Sequence, residues 1–323
     1  MEYRYLTGTG TKISRLCLGT MVFGNQVPEP DAIRIIQRAL DLGINFIDTA
    51  DRYNVGLTET IVGKAIKGRR DGLVLASKVR WLVGDYEMKD QGLARWHILR
   101  GVEASLRRLQ TDCLDILFFH GADYNVPVEE SLAAADKLVR DGKIMYYGLS
   151  NQAAWQFCRA QWLCDRRNWF APTVSQVPYN LITRGIEQEF LPFCREMKVG
   201  VTVYNPLAAG LLTGKHDPSK PPSEGTRFAL NKECFGRYWR DPNFSALAAL
   251  SDIAKEAGKT PVQLALQWLA HQQTVDAIII GASKLEQLET NVAAVAGKLD
   301  EDTLRACDEV WAKIRGESFQ YNR

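Results

Sequence analysis

From near the start of the chain to near its end, short apolar runs alternate with stretches whose apolar residues recur at helical spacing. The runs fall at 15–18, 45–48, 73–77, 114–119, 144–149, 173–177, 200–204 and 277–280. Most are continuous, as expected of strands buried on both faces of a parallel sheet. Between them, Ala32, Ile35, Ile36, Ala39 and Leu40 form one helical stripe, and Leu99, Val102, Leu106 and Leu109 another. Val128, Leu132, Ala135 and Leu138 make a third, and Val262, Ala265, Leu266 and Leu269 a fourth. Thr260-Pro261 supplies the last of these with an N-cap and a proline at its first position. Eight strand-then-helix units predict an α/β fold, a single (β/α)8 TIM barrel.

Two additions frame the repeat. Residues 3–5 and 12–14, around Gly8 and Gly10, predict an N-terminal β-hairpin that plugs the bottom of the barrel, and 300–315 predict an extra C-terminal helix. The stretch 215–241 is rich in Pro, Gly and aromatics and has no clear period, which predicts a long functional loop. No linker or shift of composition divides the chain, so residues 1–323 are expected to form one domain.

Composition narrows the classes. With 46% hydrophobic and 24% charged residues and a net charge of +2, nothing predicts a nucleic-acid or anionic-membrane partner. No apolar run reaches the roughly 18 residues of a membrane span, and the N-terminus has no signal-peptide layout. The seven cysteines include no CxxC pair, and several lie among apolar residues, as buried thiols do. The expected compartment is the cytoplasm. The four histidines lack metal-ligand spacing, so no metal is expected. Gly258-Lys259-Thr260 is a helix end, a turn and the next cap, because Ile253 occupies the place of a P-loop's first glycine.

Barrel enzymes carry their chemistry at the C-terminal ends of the strands. Those positions hold Asp48, Lys78 and His120, with Tyr53 in the loop just beyond Asp48. Any one of them alone is an ordinary loop residue; together they suit carbonyl reduction. Hydride delivery to a carbonyl carbon leaves negative charge on oxygen, which needs an acid. A tyrosine, with its usual pKa of about 10, becomes a usable acid and base beside an ammonium. Lys78 would supply that ammonium, Asp48 would hold it, and His120 would orient the substrate oxygen.

The segment Phe46-Ile47-Asp48-Thr49-Ala50-Asp51-Arg52-Tyr53, followed by Thr58-Glu59, resembles the aldo-keto reductase signature around its catalytic tyrosine. Leu16-Cys17-Leu18-Gly19-Thr20-Met21 resembles that family's first strand, Ala76-Ser77-Lys78 its lysine strand, and residues 114–120 with Asp123 its histidine strand. The resemblance covers essentially the whole chain. It implies an oxidoreductase with the tetrad Asp48, Tyr53, Lys78 and His120, using NADP(H) in preference to NAD(H), on aldehydes, ketones or alcohols, including sugar-derived ones.

It also implies the cofactor contacts. Thr20, Met21 and Asp48 belong to them. Gly148-Leu149-Ser150-Asn151 resembles the carboxamide-binding turn, with Gln176 as partner, and Tyr204 stands where the family stacks an aromatic ring on the nicotinamide. Asn205-Pro206-Leu207, through Gly210 and Leu211 to Lys215, resembles the loop that covers the pyrophosphate, and Arg227 lies in a segment similar to one reaching the adenosine end. Gly281, Ser283, Gln287 and Asn291 match the phosphate-binding pattern of channel-β-like members. A helix N-terminus there would offer free N–H groups and a positive dipole end, and Ser283 and Glu286 have capping-box spacing. Phe23, Trp81 and Tyr124, with Tyr53 and His120, are the expected substrate pocket; the alternative for Phe23, Trp81 and Tyr124 is packing at the barrel rim.

The chain departs from the pattern at Gln287, where an arginine on the 2′-phosphate is common, and at Thr290, in place of a frequent glutamate. Asn205 replaces a common serine, and Asn54 follows the tyrosine where glycine is usual. The alternative function is a cofactor-binding, redox-sensing regulatory module similar to the β subunits of potassium channels. The absence of a long N-terminal extension favours the enzyme.

Overall fold

The computed structural model describes residues 1–84 and 89–316. In chain order, a hairpin of β1 (Tyr3–Tyr5) and β2 (Lys12–Ser14) precedes β3 (Leu16–Gly19), α1 (Glu29–Asp41), β4 (Phe46–Asp48), α2 (Leu57–Ala65), β5 (Val74–Val79) and α3 (Arg95–Leu109). Then come β6 (Leu114–Phe119), α4 (Val128–Arg140), β7 (Ile144–Ser150), α5 (Ala154–Arg167), β8 (Val174–Pro178), α6 (Phe190–Glu196) and β9 (Gly200–Tyr204). Helices α7 (Arg227–Leu230), α8 (Lys232–Tyr238), α9 (Asp241–Glu256) and α10 (Pro261–His271) lead to β10 (Ala277–Gly281), α11 (Leu285–Ala294) and α12 (Glu301–Arg315).

Strands β3 to β10 close into a barrel in which sequential strands are neighbours and β10 pairs back onto β3. The expected TIM barrel and its N-terminal hairpin are both present. Strand alternation sorts the residues: Cys17, Phe46, Val74, Ala76, Ile116, Phe118, Val174, Ala277 and Ile279 form one buried cluster, which Leu6 and Ile13 from around the hairpin join. Gly148 lies between Phe118 and Val174 in register. A Cβ there would stand 2.1 Å from the Val174 carbonyl oxygen and 2.8 Å from the Phe118 ring, so the strand approach requires glycine.

The residues divide into two compact units, Met1–Val177 with Glu187–Tyr204 and Thr274–Glu289, and Pro178–Ile186 with Asn205–Gln273 and the described residues from Thr290. In the first, the α1 stripe is buried as its spacing predicts. On α3 the buried face is His97, Ile98, Val102, Ser105, Leu106 and Leu109; Leu99, at the edge of that face, is only half-buried. In the second, α10 starts at the expected cap, Thr260, whose hydroxyl accepts from the Gln263 amide while the Gln263 side chain accepts from the Thr260 amide.

The expected long loop at 215–241 is a correction. It contains α7 and α8, and Asn231 caps α8 by accepting from the Cys234 amide at 2.8 Å. Its aromatics pack on one another instead of along a helical stripe: Trp239 lies within about 5–6 Å of His216, Phe228, Phe235 and Phe244.

No helix of the described residues is long and apolar enough to cross a membrane, and no group of three His, Cys, Asp or Glu among them could hold a metal ion.

Candidate functional site

The same alternation that fills the barrel also aims the polar residues at its C-terminal mouth. Asp48 lies two residues beyond Phe46, Lys78 two beyond Ala76, His120 two beyond Phe118 and Gln176 two beyond Val174. Each is therefore the next position on a row whose earlier member is in the barrel core. Asp48 is in register with Ala76, which puts Lys78 one step above it on the neighbouring strand.

Lys78 is fully buried and its ammonium is saturated. It donates to Asp48 Oδ1 at 2.5 Å, to the Thr49 carbonyl at 2.8 Å and to the Tyr53 hydroxyl at 3.3 Å. Burial alone would favour the neutral amine, but the Asp48 carboxylate and the Tyr53 oxygen outweigh it and raise the Lys78 pKa above its ordinary value. The other Asp48 oxygen accepts from Gln176 Nε2 at 2.8 Å, so this buried carboxylate is held from both sides.

Tyr53 enters this group from a sharp turn. Asn54, Val55 and Gly56 follow it with φ of 49°, 52° and 87°. Asparagine tolerates the left-handed region better than most residues, so Asn54 can stand where glycine is usual. Its side chain pins the turn by donating to the Gly24 carbonyl at 2.7 Å. Thr58 and Glu59 lock the far side. The Thr58 hydroxyl donates to the Phe23 carbonyl at 2.8 Å, and Glu59 accepts from Ser77 and from Arg108 Nε at 2.7 Å. These two signature residues position the loop.

His120 stands edge-on to Tyr53, with ring centroids 6.0 Å apart. Burial first, then the positive charges of Lys78, Arg52 and Arg80, hold its pKa well below the usual imidazole value. At neutral pH it is an uncharged imidazole.

Six of the residues expected to contact cofactor, Thr20, Asp48, Ser150, Asn151, Gln176 and Tyr204, form a connected network in the first unit. Asn151, with φ of 56°, accepts from the Tyr204 hydroxyl at 2.8 Å and donates to the Ser150 hydroxyl at 3.0 Å and the His120 carbonyl at 3.2 Å. Ser150 in turn donates to the Gln176 carbonyl at 3.0 Å. Thr20 is buried, its amide and hydroxyl both on the Asp48 carbonyl, and Met21 follows it, half-buried. This uncharged set of amides, hydroxyls and one aromatic face has the right chemistry for a nicotinamide carboxamide. At the end of β10, Ser283 uses Gln287, not Glu286: Gln287 Oε1 accepts from the Ser283 amide at 2.9 Å and its hydroxyl at 3.0 Å. Gln287 thus takes the place that the capping-box spacing assigned to Glu286. Gly281, Ser283 and Lys284 are all exposed there.

The second unit holds Asn205, Pro206, Leu207, Gly210, Leu211, Lys215, Arg227 and Asn291. Asn205, Ala208, Ala209 and Gly210 all have positive φ, from 48° to 101°. The loop is stapled by Asn180 Nδ2 donating to the Asn205 carbonyl at 2.9 Å and by Thr213 donating to the Gly210 carbonyl at 2.7 Å. Leu211 is buried, Lys215 exposed, Arg227 begins α7, and Asn291 is buried.

The expected pocket residues separate. Trp81, 37% exposed, lies edge-on to His120 at 6.5 Å. Tyr124 is exposed and accepts from Gln156 at 3.4 Å. Phe23 is completely buried, which suits the packing alternative. Two residues that sequence reasoning did not single out stand beside Trp81: the Arg80 guanidinium is 3.8 Å from its ring centroid and that of Arg52 5.0 Å. Their only sequence signal is adjacency, Arg80 to Trp81 and Arg52 to Tyr53.

A sequence model of the Aldo/keto reductase family matches residues 15–312. An uncharacterized oxidoreductase of Bacillus subtilis, YrpG, is 39% identical over 98% of both chains. A protein of Arabidopsis thaliana named as a probable voltage-gated potassium channel subunit beta is 38% identical over 91% of both. Aflatoxin B1 aldehyde reductase member 2 of Rattus norvegicus is 33% identical over 95% of this chain and 87% of its own.

Proposed function

Since the chain belongs to the Aldo/keto reductase family, we propose that it is an NADP(H)-dependent oxidoreductase interconverting carbonyls and alcohols, with Tyr53 as acid in reduction and base in oxidation. The observation that carries this reading is the saturated Lys78 ammonium, which spends one of its three protons on the Tyr53 hydroxyl. A cation at 3.3 Å stabilises negative charge on that oxygen, which is what a proton donor needs as its proton leaves. Asp48, itself held by Gln176, keeps the ammonium charged and aimed. His120, neutral, would hold the substrate oxygen against Tyr53 without competing as an acid.

When bound, NADP(H) supplies or accepts the hydride. Ser150, Asn151, Gln176 and Tyr204 would hold its carboxamide and ring, and the exposed turn at Gly281, Ser283 and Gln287 a phosphate. Lys284, exposed on that turn, favours NADP over NAD there.

The relative named as a probable channel subunit belongs with the same family match, so its similarity does not favour a regulatory module over an enzyme. Cofactor consumption with NADPH and with NADH, across aldehydes, sugars and keto-steroids, tests the proposal. The expected result is many turnovers per protein with at least one carbonyl, faster with NADPH. Tight cofactor binding without turnover would overturn the enzyme and leave the module.

A further inference from the structure

The mouth of the barrel around Tyr53 carries more positive charge than proton transfer requires. Lys78 is matched by Asp48 at 2.5 Å, and His120 is neutral. Arg52 and Arg80 remain, both over the Trp81 ring, and neither forms an ion pair among the described residues. Two acids of the neighbouring described segments are committed elsewhere. Asp123 accepts from the Leu93 and Asn125 amides at 2.8 and 3.0 Å, and Glu59 accepts from Ser77 and Arg108. Asp51, beside Arg52 in the chain, is buried without a hydrogen bond to either oxygen. Burial, then the Glu59 charge, raises its pKa well above the ordinary aspartate value.

Arg80 is itself held in place: its Nε donates to the Ala122 carbonyl at 2.9 Å, leaving the terminal nitrogens unassigned, and its side chain crosses Gly121. Arg52 is exposed. Trp81 links both guanidiniums to the His120 ring, 6.5 Å away, and His120 to Tyr53, 6.0 Å away.

We propose that Arg52 and Arg80, spread on Trp81, form a substrate subsite for an anionic group, so that the preferred substrates are carbonyl compounds carrying a carboxylate or a phosphate. The proposal rests on the reading of Tyr53 and His120 as the carbonyl site and names the substrate class of that site. The chemistry is the planar, bidentate recognition that guanidinium gives to carboxylate and phosphate oxygens. Because the subsite lies at a partly solvated rim, the gain is modest per contact and falls with salt.

The test compares 4-carboxybenzaldehyde with 4-carbamoylbenzaldehyde, its neutral near-isostere, and 4-formylphenyl phosphate with 4-methoxybenzaldehyde, in wild type, Arg52→Gln and Arg52→Gln/Arg80→Gln. Wild type should favour at least one anion over its neutral mate by about tenfold in kcat/KM, chiefly through KM, and the ratio should shrink toward one in 0.5 M salt, a concentration set to screen such rim charges to roughly 4 Å. Arg52→Gln should reduce the ratio several-fold and the double variant should abolish it; whichever anion shows the effect identifies the oxygen acid. Equal kcat/KM for both pairs would overturn the subsite while leaving the carbonyl reductase intact. If no aldehyde turns over, the reading of Tyr53 fails separately, and calorimetric binding of 4-carbamoylbenzoate against terephthalamide decides the subsite. Salt-sensitive binding of the anion that Arg52→Gln removes supports it, and equal binding overturns it.

Discussion

Tyr53→Phe is expected to lower kcat by about 10²–10⁴-fold, the usual worth of a positioned acid or base. The ring, the turn at Asn54 and the Lys78–Asp48 pair all survive the substitution, because only the hydroxyl at 3.3 Å from Lys78 is removed. NADPH affinity, followed by fluorescence titration, should change by less than about threefold, since the amides and hydroxyls assigned to the carboxamide do not touch that hydroxyl. Loss of turnover with cofactor affinity kept places Tyr53 in the chemical step. Full turnover in this variant would remove the assignment.

Lys78→Met should cost both activity and stability. Removing the ammonium takes away the cation at the Tyr53 oxygen, and kcat should fall by a factor similar to that of Tyr53→Phe. It also strands Asp48, 3% exposed, with Gln176 as its remaining side-chain partner. Breaking one side of a buried ion pair costs about 3–5 kcal/mol, which a urea unfolding midpoint reports readily. The pH window follows from the direction of the shift. The Lys78 pKa is raised in the folded protein, so the pair contributes fully below the amine's ordinary pKa and is lost only as pH climbs through the higher folded value. The stability gap between wild type and variant should therefore stay constant from neutral pH to about 9 and close in strong alkali. A variant as stable as wild type at pH 7 would contradict the stabilising role of the Lys78–Asp48 pair.

The barrel was legible because its strands are buried on both faces and read as uninterrupted apolar runs. Where the strand ends differ from that reading, the cause is a polar or special residue that still obeys the sheet. Strand β5 was expected to stop at Ser77, since a lysine usually marks a loop; it continues through Val79 because Lys78 finds its partners inside the mouth. In the same way β7 extends to Ser150, β8 to Pro178 and β10 to Gly281. Helices α7 and α8 escaped notice because their aromatics pack on each other around Trp239 and leave no stripe, although Asn231 three residues before Cys234 was a visible cap.

The meeting of Asp48, Lys78 and Tyr53 was equally readable, for a geometric reason: each polar residue follows a core residue by two positions or sits in the next turn. The charge at the rim was not. Arg52 and Arg80 come from loops after different strands, and only the folded chain shows that both lie on Trp81. Gln287 illustrates the same limit at short range. Spacing three suggested Glu286 as the partner of Ser283, but the helix starts at Leu285, and the side chain that reaches back comes from one position later.

The central claim is that the Tyr53 phenol and the Lys78 ammonium act as one unit, and a double-mutant cycle on kcat/KM tests it most directly. If they are one unit, Tyr53→Phe/Lys78→Met is within about threefold of the worse single variant, because the second substitution has nothing left to remove. If the two losses instead multiply, phenol and ammonium act independently, and the proton relay built on their 3.3 Å contact is wrong.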